Sequence, residues 1–432
     1  MLGRYRRSYI YTALLFMFAV FFNTHEAVGR NISERSVSVE DSLRGDTVDM
    51  NDLKMYDPKS HLFERPVFIN AKYSGGKVLG DIRNIGVCYA QYSEVKVGVT
   101  ALGNRWMDIV YGMPYYGLGV GFYDFGSPKV GKPISVYLLQ GGTLKSYSKR
   151  SMIKYEWNFG TSFNWKRYNA ITNPENTYVG APINIYFAAN FYHTYILSKE
   201  LDLNAGITFN HVSNGATRMP NSGVNSLTAT VGLTYYLDRE RILNEYNPSL
   251  RAPVYTEKRL ISDVSLHTTF RQRKFSPEKT GLSSKYIDKE FFIAGASYAF
   301  LHMSDYKHRY GTSLEFIYDE SAGFSARKIG ENPDGSDIVQ YDEGSFLGCL
   351  SLGISARGDF VMPRYSVSGQ LGCDVIKGKK TDSRYYQIFS VRVPLGKTFY
   401  ASFILRTQKF SKAQYMFFGI GYMIDHRPYR MK

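Results

Sequence analysis

The sequence predicts an all-β protein, an antiparallel transmembrane β-barrel, and three observations carry that expectation. The first is strict alternation. Between 201 and 213, Leu201, Leu203, Ala205, Ile207, Phe209, His211 and Ser213 share one face, while Asp202, Asn204, Gly206, Thr208 and Asn210 share the other, because successive strand side chains point to opposite sides. Residues 225–237 repeat the pattern, with Asn225, Leu227, Ala229, Val231, Leu233, Tyr235 and Leu237 against Ser226, Thr228, Thr230, Gly232 and Thr234. Apolar-out, polar-in over this length is what a membrane barrel strand requires. The second is composition: 16% aromatic residues against only 21% charged ones suits aromatic girdles around tightly packed strands, with a secreted β-sandwich as the alternative. The third is the lack, after the N-terminus, of any run near the roughly 20 apolar residues of a spanning helix. A mature chain lodged in a bilayer must then cross it as a closed sheet.

Each segment follows in order. Arg4, Arg6 and Arg7, an apolar run from about Tyr9 to Phe22 and the small residues of Ala27-Val28-Gly29 read as a secretory signal peptide over 1–29, with mature protein from near Arg30. Residues 30–64 are polar and aperiodic, as in a flexible periplasmic segment. Strands are expected near 66–74, 84–99, 115–126, 133–146, 151–166, 182–198, 201–213 and 225–237, giving an eight-stranded half over 65–238. The charged, proline-containing stretch 239–262 reads as a linker. In the C-terminal β-strand region, 263–432, alternation returns near 263–274, 287–303, 308–320, Phe346 to Asp359, 364–376, 385–395, 397–407 and 413–424. Because the bilayer tolerates no open sheet edge, a single barrel of about 12 to 16 strands is the preferred closure. An eight-stranded barrel followed by a second β module is the other arrangement.

The formal charge of +15 favours anionic partners. A nucleic-acid binder would need a cytoplasmic chain, against which the signal peptide argues, whereas Lys and Arg at strand ends and loops suit the phosphates of lipopolysaccharide. Cys88, Cys349 and Cys373 are too few for a disulfide framework. There is no Gly-x-Ser-x-Gly elbow, phosphate loop or pair of histidines at metal spacing, so neither metal nor cofactor is expected. His193, His267, His302 and His308 read as interface or lumen residues.

The segment 211–225, His-Val-Ser-Asn-Gly-Ala-Thr-Arg-Met-Pro-Asn-Ser-Gly-Val-Asn, puts catalysis-capable side chains on faces that should be lipid-facing. His211 and Ser213, two apart on one strand face, suit a base that takes the serine proton as oxygen attacks a carbonyl. Asn225, close across the hairpin, can accept from the other imidazole nitrogen and fix its tautomer. Asn214, or a backbone amide of the glycine-containing turn, can stabilise an oxyanion. With the N-terminus in the periplasm, strand 201–213 runs outward and 214–224 is an extracellular loop, so the site meets the outer leaflet. The opposite reading is that these are ordinary polar residues at a barrel rim.

The segment resembles the lipid A 3-O-deacylase (PagL-like, acyloxyacyl hydrolase) family of outer-membrane enzymes, whose signature runs His-x-Ser-Asn, then Pro-Asn-x-Gly, then a catalytic acid. His211, Ser213, Asn214, Pro220, Asn221 and Gly223 match it. The resemblance covers about 66–237 and implies an eight-stranded barrel there, Ser213 as nucleophile, His211 as general base, and Asn214 in the oxyanion hole. Asn225 stands where the family has Glu, and Ala216, also placed at the oxyanion hole, where it tends to have glycine. The expected activity is that of a serine esterase in the outer membrane of a Gram-negative bacterium, acting on lipid A among membrane lipids. The rivals are a porin or transport barrel, or a structural barrel with an inactive esterase-like site.

Overall fold

The structure is a computed structural model that describes residues 65–426 except 81, 83, 84, 88, 252–258, 334 and 411. The expected signal peptide (1–29) and periplasmic segment (30–64) lie outside the described residues, as does Cys88. Cys349 and Cys373 are free thiols.

The first unit is built from β1 (Val67–Leu79), β2 (Ala90–Thr100), β3 (Tyr115–Asp124), β4 (Gly131–Ser146), β5 (Ser151–Trp165), β6 (Asn184–Ile196), β7 (Leu201–Ser213) and β8 (Val224–Tyr236). Each pairs antiparallel with its neighbour, and β1 pairs with β8 from Phe68↔Tyr236 to Leu79↔Asn225, closing the barrel. Short helices α1 (Trp106–Val110) and α2 (Arg239–Glu245) follow β2 and β8. The second unit comprises β9 (Arg259–Arg271), β10 (Phe291–Met303), β11 (His308–Asp319), β14 (Leu350–Val361), β15 (Ser366–Ile376), β16 (Tyr385–Pro394), β17 (Phe399–Gln408) and β18 (Lys412–His426), again closed, with β18 paired to β9. Its long connections carry α3 (Pro277–Thr280), the hairpin β12 (Ser325–Glu331) and β13 (Asp337–Asp342), and α4 (Phe346–Cys349).

The all-β antiparallel class holds, and eight strands occupy the first half. The preferred single barrel of about 12 to 16 strands is corrected to two closed eight-stranded barrels. Each set of eight satisfies its own edges, so a larger closure is not needed. The 239–262 stretch runs partly as α2 and yields its last residues, from Arg259, to β9. Only the β12–β13 hairpin has no counterpart in the strands expected from sequence.

Both barrels expose apolar side chains and bury polar ones, the inverse of a water-soluble protein. Around the first, Ile69, Tyr73, Val95, Phe122, Ile207, Leu227 and Val231 are exposed, while inside Lys72 pairs with Glu94 and Lys96 with Glu156. Tyr137 donates to Glu94 at 2.7 Å, and Thr208 donates to Asn190 at 2.7 Å. Nearer the long connections the interior turns aromatic and aliphatic, with Tyr92, Tyr123, Phe125, Trp165, Val212 and Val224 in one cluster. In the second barrel, Arg357 bridges Asp263 and Asp359, Arg406 donates to both oxygens of Asp374 at 2.8 Å, and Arg271 pairs with Asp319 at 2.8 Å. An eight-stranded barrel is just wide enough for side chains to fill, and these paired charges fill both.

Candidate active site

The site lies where β7 and β8 leave the barrel wall. Inward-facing Val212 and Val224 anchor both strand ends in the apolar cluster, so the intervening outward residues His211, Ser213 and Asn225, all partly exposed, rest on a rigid base. Asn210, also inward, accepts from the Tyr186 hydroxyl at 2.8 Å. The register sets His211 directly opposite Asn225 on β8 and Ser213 opposite Ile185 on β6.

The three polar side chains form a continuous chain. His211 Nδ1 is 2.6 Å from Asn225 Oδ1, and His211 Nε2 is 2.8 Å from Ser213 Oγ. Because an amide oxygen only accepts, Nδ1 carries the hydrogen and donates to Asn225. Nε2 then holds its lone pair toward Ser213 and accepts the hydroxyl proton. This is the tautomer a general base needs.

The turn between the strands brings the remaining motif residues into place. The Asn214 N–H donates to Asn221 Oδ1 at 3.1 Å, and Asn214 Oδ1 accepts from the Arg218 N–H at 3.3 Å. Gly215 and Ala216 both have left-handed backbones, at φ 62° and 68°. Gly223, at φ 71°, is needed twice over: a Cβ there would also lie 3.0 Å from the Val212 carbonyl oxygen and 3.3 Å from Ser213 Cβ. Glycine alone lets β8 start this close to the serine.

Two further groups support the site without being evident beforehand. Gly223 and Ser222 donate their N–H groups to the carbonyls of Tyr178 and Thr177, so the 166–183 connection holds the turn. That connection is organised by buried Asn176, whose Nδ2 donates to the Lys166 and Lys129 carbonyls at 2.7 and 3.1 Å while Oδ1 accepts from the Val179 N–H at 3.2 Å. The signal available was Asn173-Pro-Glu-Asn176, asparagines of the kind that fold back on their own backbone. Among the described residues no group of His, Cys, Asp and Glu is arranged to hold a metal ion.

Comparison with known proteins follows this geometry. Residues 144–234, which hold His211, Ser213 and Asn225, match the family model described as Lipid A 3-O-deacylase (PagL). Residues 263–427, which the resemblance read from the motif did not reach, match the model described as Acyloxyacyl hydrolase, C-terminal domain. No curated protein matches the chain. Among solved structures, Neisserial surface protein A is 12% identical with a TM-score of 0.28, over 39% of this chain and 96% of that one. The outer membrane enzyme PagL is 13% identical with a TM-score of 0.26, over 38% and 97%. The alcaligin outer membrane receptor FauA from Bordetella pertussis is 10% identical with a TM-score of 0.25, over 84% and 65%. Likenesses this loose carry no weight beside the two family matches, which between them span more than half of the sequence. The chain belongs to the PagL-like acyloxyacyl hydrolase family.

Proposed function

We propose that this chain is an outer-membrane serine esterase that removes an ester-linked acyl chain from lipid A of lipopolysaccharide. The observation that carries the reading is the hydrogen-bonded Ser213–His211–Asn225 chain on the outward wall, where a substrate's acyl chains lie among membrane lipids. The matched family bears lipid A 3-O-deacylation in its name.

In this mechanism Ser213 Oγ attacks the ester carbonyl as His211 Nε2 takes its proton. The tetrahedral oxyanion collapses, the sugar hydroxyl leaves with that proton, and water then releases the fatty acid by the same steps in reverse roles. The Asn214 backbone N–H is already given to Asn221, so Asn214 would contribute its side-chain amide to the oxyanion, with the Ala216 N–H as the second donor. Asn225 keeps His211 in the working tautomer but offers no charge to the imidazolium, so turnover is slower than a carboxylate would allow.

The porin reading rests on a wide polar lumen, and two eight-stranded barrels with filled interiors do not provide one. The inactive-barrel reading is favoured only by the neutral Asn225. Expression of the chain and its Ser213→Ala variant in a Gram-negative host, with lipid A compared by mass spectrometry, tests the proposal. Loss of one hydroxyacyl mass with the parent alone supports it. Unchanged lipid A with both, at equal outer-membrane levels, rejects it.

A further inference from the structure

The second barrel carries a serine–histidine pair on its own outward wall. Along β9, Leu260, Ser262, Val264 and Leu266 face outward, and the three apolar members are well exposed. Ser262 interrupts this band. Its Oγ lies 2.8 Å from Nε2 of His426, at the end of β18, and 3.2 Å from the hydroxyl of Tyr298 on β10. The register explains the meeting: Ser262 is opposite Ile424 on β18 and Phe300 on β10, which places His426 and Tyr298 on the two diagonals beside it. Phe300, Ile424 and Tyr422 around the trio are exposed and apolar or aromatic.

With His426 Nε2 unprotonated, Ser262 O–H donates to its lone pair and Tyr298 O–H donates to Ser262 Oγ, and the serine–histidine contact has the same 2.8 Å length as that between His211 and Ser213. Ser262 is 5% exposed and lies against the His426 and Tyr298 rings, which are themselves exposed. Nearby Asp425 is held by Arg259 at 2.8 Å, so the pair, like the first site, works without a carboxylate on its histidine. The trio sits at the end of the barrel joined by the short connections 304–307, 362–365 and 395–398, and a barrel strand end is where the apolar outer wall gives way to the polar interface that holds lipid ester groups.

We propose that Ser262, His426 and Tyr298 form a second nucleophilic site, open to the membrane, that takes fatty-acyl esters of glycerophospholipids. Ser262 Oγ bonds to the ester carbonyl carbon while its proton passes to His426 Nε2. The carbon–oxygen bond to the glycerol breaks, and that oxygen leaves with the proton. Water then attacks the acyl-serine, giving one proton to His426, which returns it to Ser262 as the free acid departs. Tyr298 O–H is placed to steady the oxyanion.

This inference does not depend on the role of Ser213, and the test separates the two. Full-length Ser213→Ala protein in detergent micelles is treated with a fluorophosphonate and the adduct is mapped by peptide mass spectrometry. Fatty acid release from dipalmitoyl phosphatidylcholine in mixed micelles is measured in parallel. The expected result is an adduct on Ser262 and release of fatty acid, both lost in Ser213→Ala/Ser262→Ala and at least about tenfold weaker in Ser213→Ala/His426→Gln, which preserves size at an exposed position. An unlabelled Ser262 with no fatty acid released overturns the proposal, as does labelling indifferent to the His426 change. Labelling of Ser213 in the parent is the separate readout for the first site.

Discussion

The two barrels share strand number, closure and direction of polarity, yet they fill their interiors differently. The first holds Lys72–Glu94 and Lys96–Glu156 beneath a cap of tyrosines, Phe125 and Trp165. The second is threaded by arginines, with Arg271, Arg357 and Arg406 each held by aspartate. Arginine's planar fork suits that use, since it bonds carboxylates at two points and stays charged. The first barrel places Ser213, His211 and Asn225 on its outer wall, while the second carries the β12–β13 insertion. The comparison teaches that both interiors are filled by paired charge, so under the proposed function the chemistry falls to side chains on the outer walls.

The largest effects should fall on the outer wall of the first barrel. Ser213→Ala and His211→Ala should each lower deacylation by about a thousandfold or more, read from lipid A mass spectra, with heat-modified gel migration unchanged. Retained activity in either variant would show that the Ser213–His211 pair does not carry the deacylation. Next comes the arginine lattice of the second barrel. Arg357→Leu removes the nearest cation from buried Asp263 and Asp359 and leaves them Arg392 at 3.9 and 3.5 Å, and should cost roughly 3 kcal/mol in urea unfolding. A cost below about 1 kcal/mol would mean the lattice does not hold that barrel.

Smaller changes sharpen the contrast. Asn225→Glu gives His211 a charged acceptor, and the difference between charged and neutral hydrogen bonds, about 1 to 1.5 kcal/mol, predicts a roughly tenfold rise in turnover. A fall would show that the amide itself is required. Ala216→Gly relieves a left-handed alanine at φ 68° and should stabilise the chain by about 1 kcal/mol, seen as a higher unfolding midpoint.

A pH-dependent contrast concerns Lys380, in the connection between β15 and β16, which donates to Ser351. Burial, with Arg406 adding repulsion, pushes its ammonium down to about 7. A base depressed on folding binds fewer protons folded than unfolded between about 7 and its ordinary value of 10.5, so stability rises with pH across that window. Lys380→Met should flatten that rise, measured as unfolding midpoints from pH 7 to 10. An unchanged slope would assign it to other groups.

Much of this molecule was legible as sequence. Period-two alternation marks sixteen of the eighteen strands, because a strand between lipid and a filled lumen must alternate to satisfy both. It missed β12 and β13, a mostly exposed hairpin outside the barrel wall, where lipid does not impose alternation. His211 and Ser213 were readable because two residues apart in a strand means the same face. Asn225 was within reach because a hairpin returns at once, and the structure places it at 2.6 Å. What the tertiary structure alone decided is longer in range: the closure of β8 onto β1 and β18 onto β9 in place of one large ring, the Asn176-built connection behind Gly223, the arginine partners, and the meeting of Ser262 with His426, 164 positions away. Alternation tells each side chain which face it takes and nothing about its neighbour across the closing seam, because that pairing is set by strand number and stagger summed around the whole barrel.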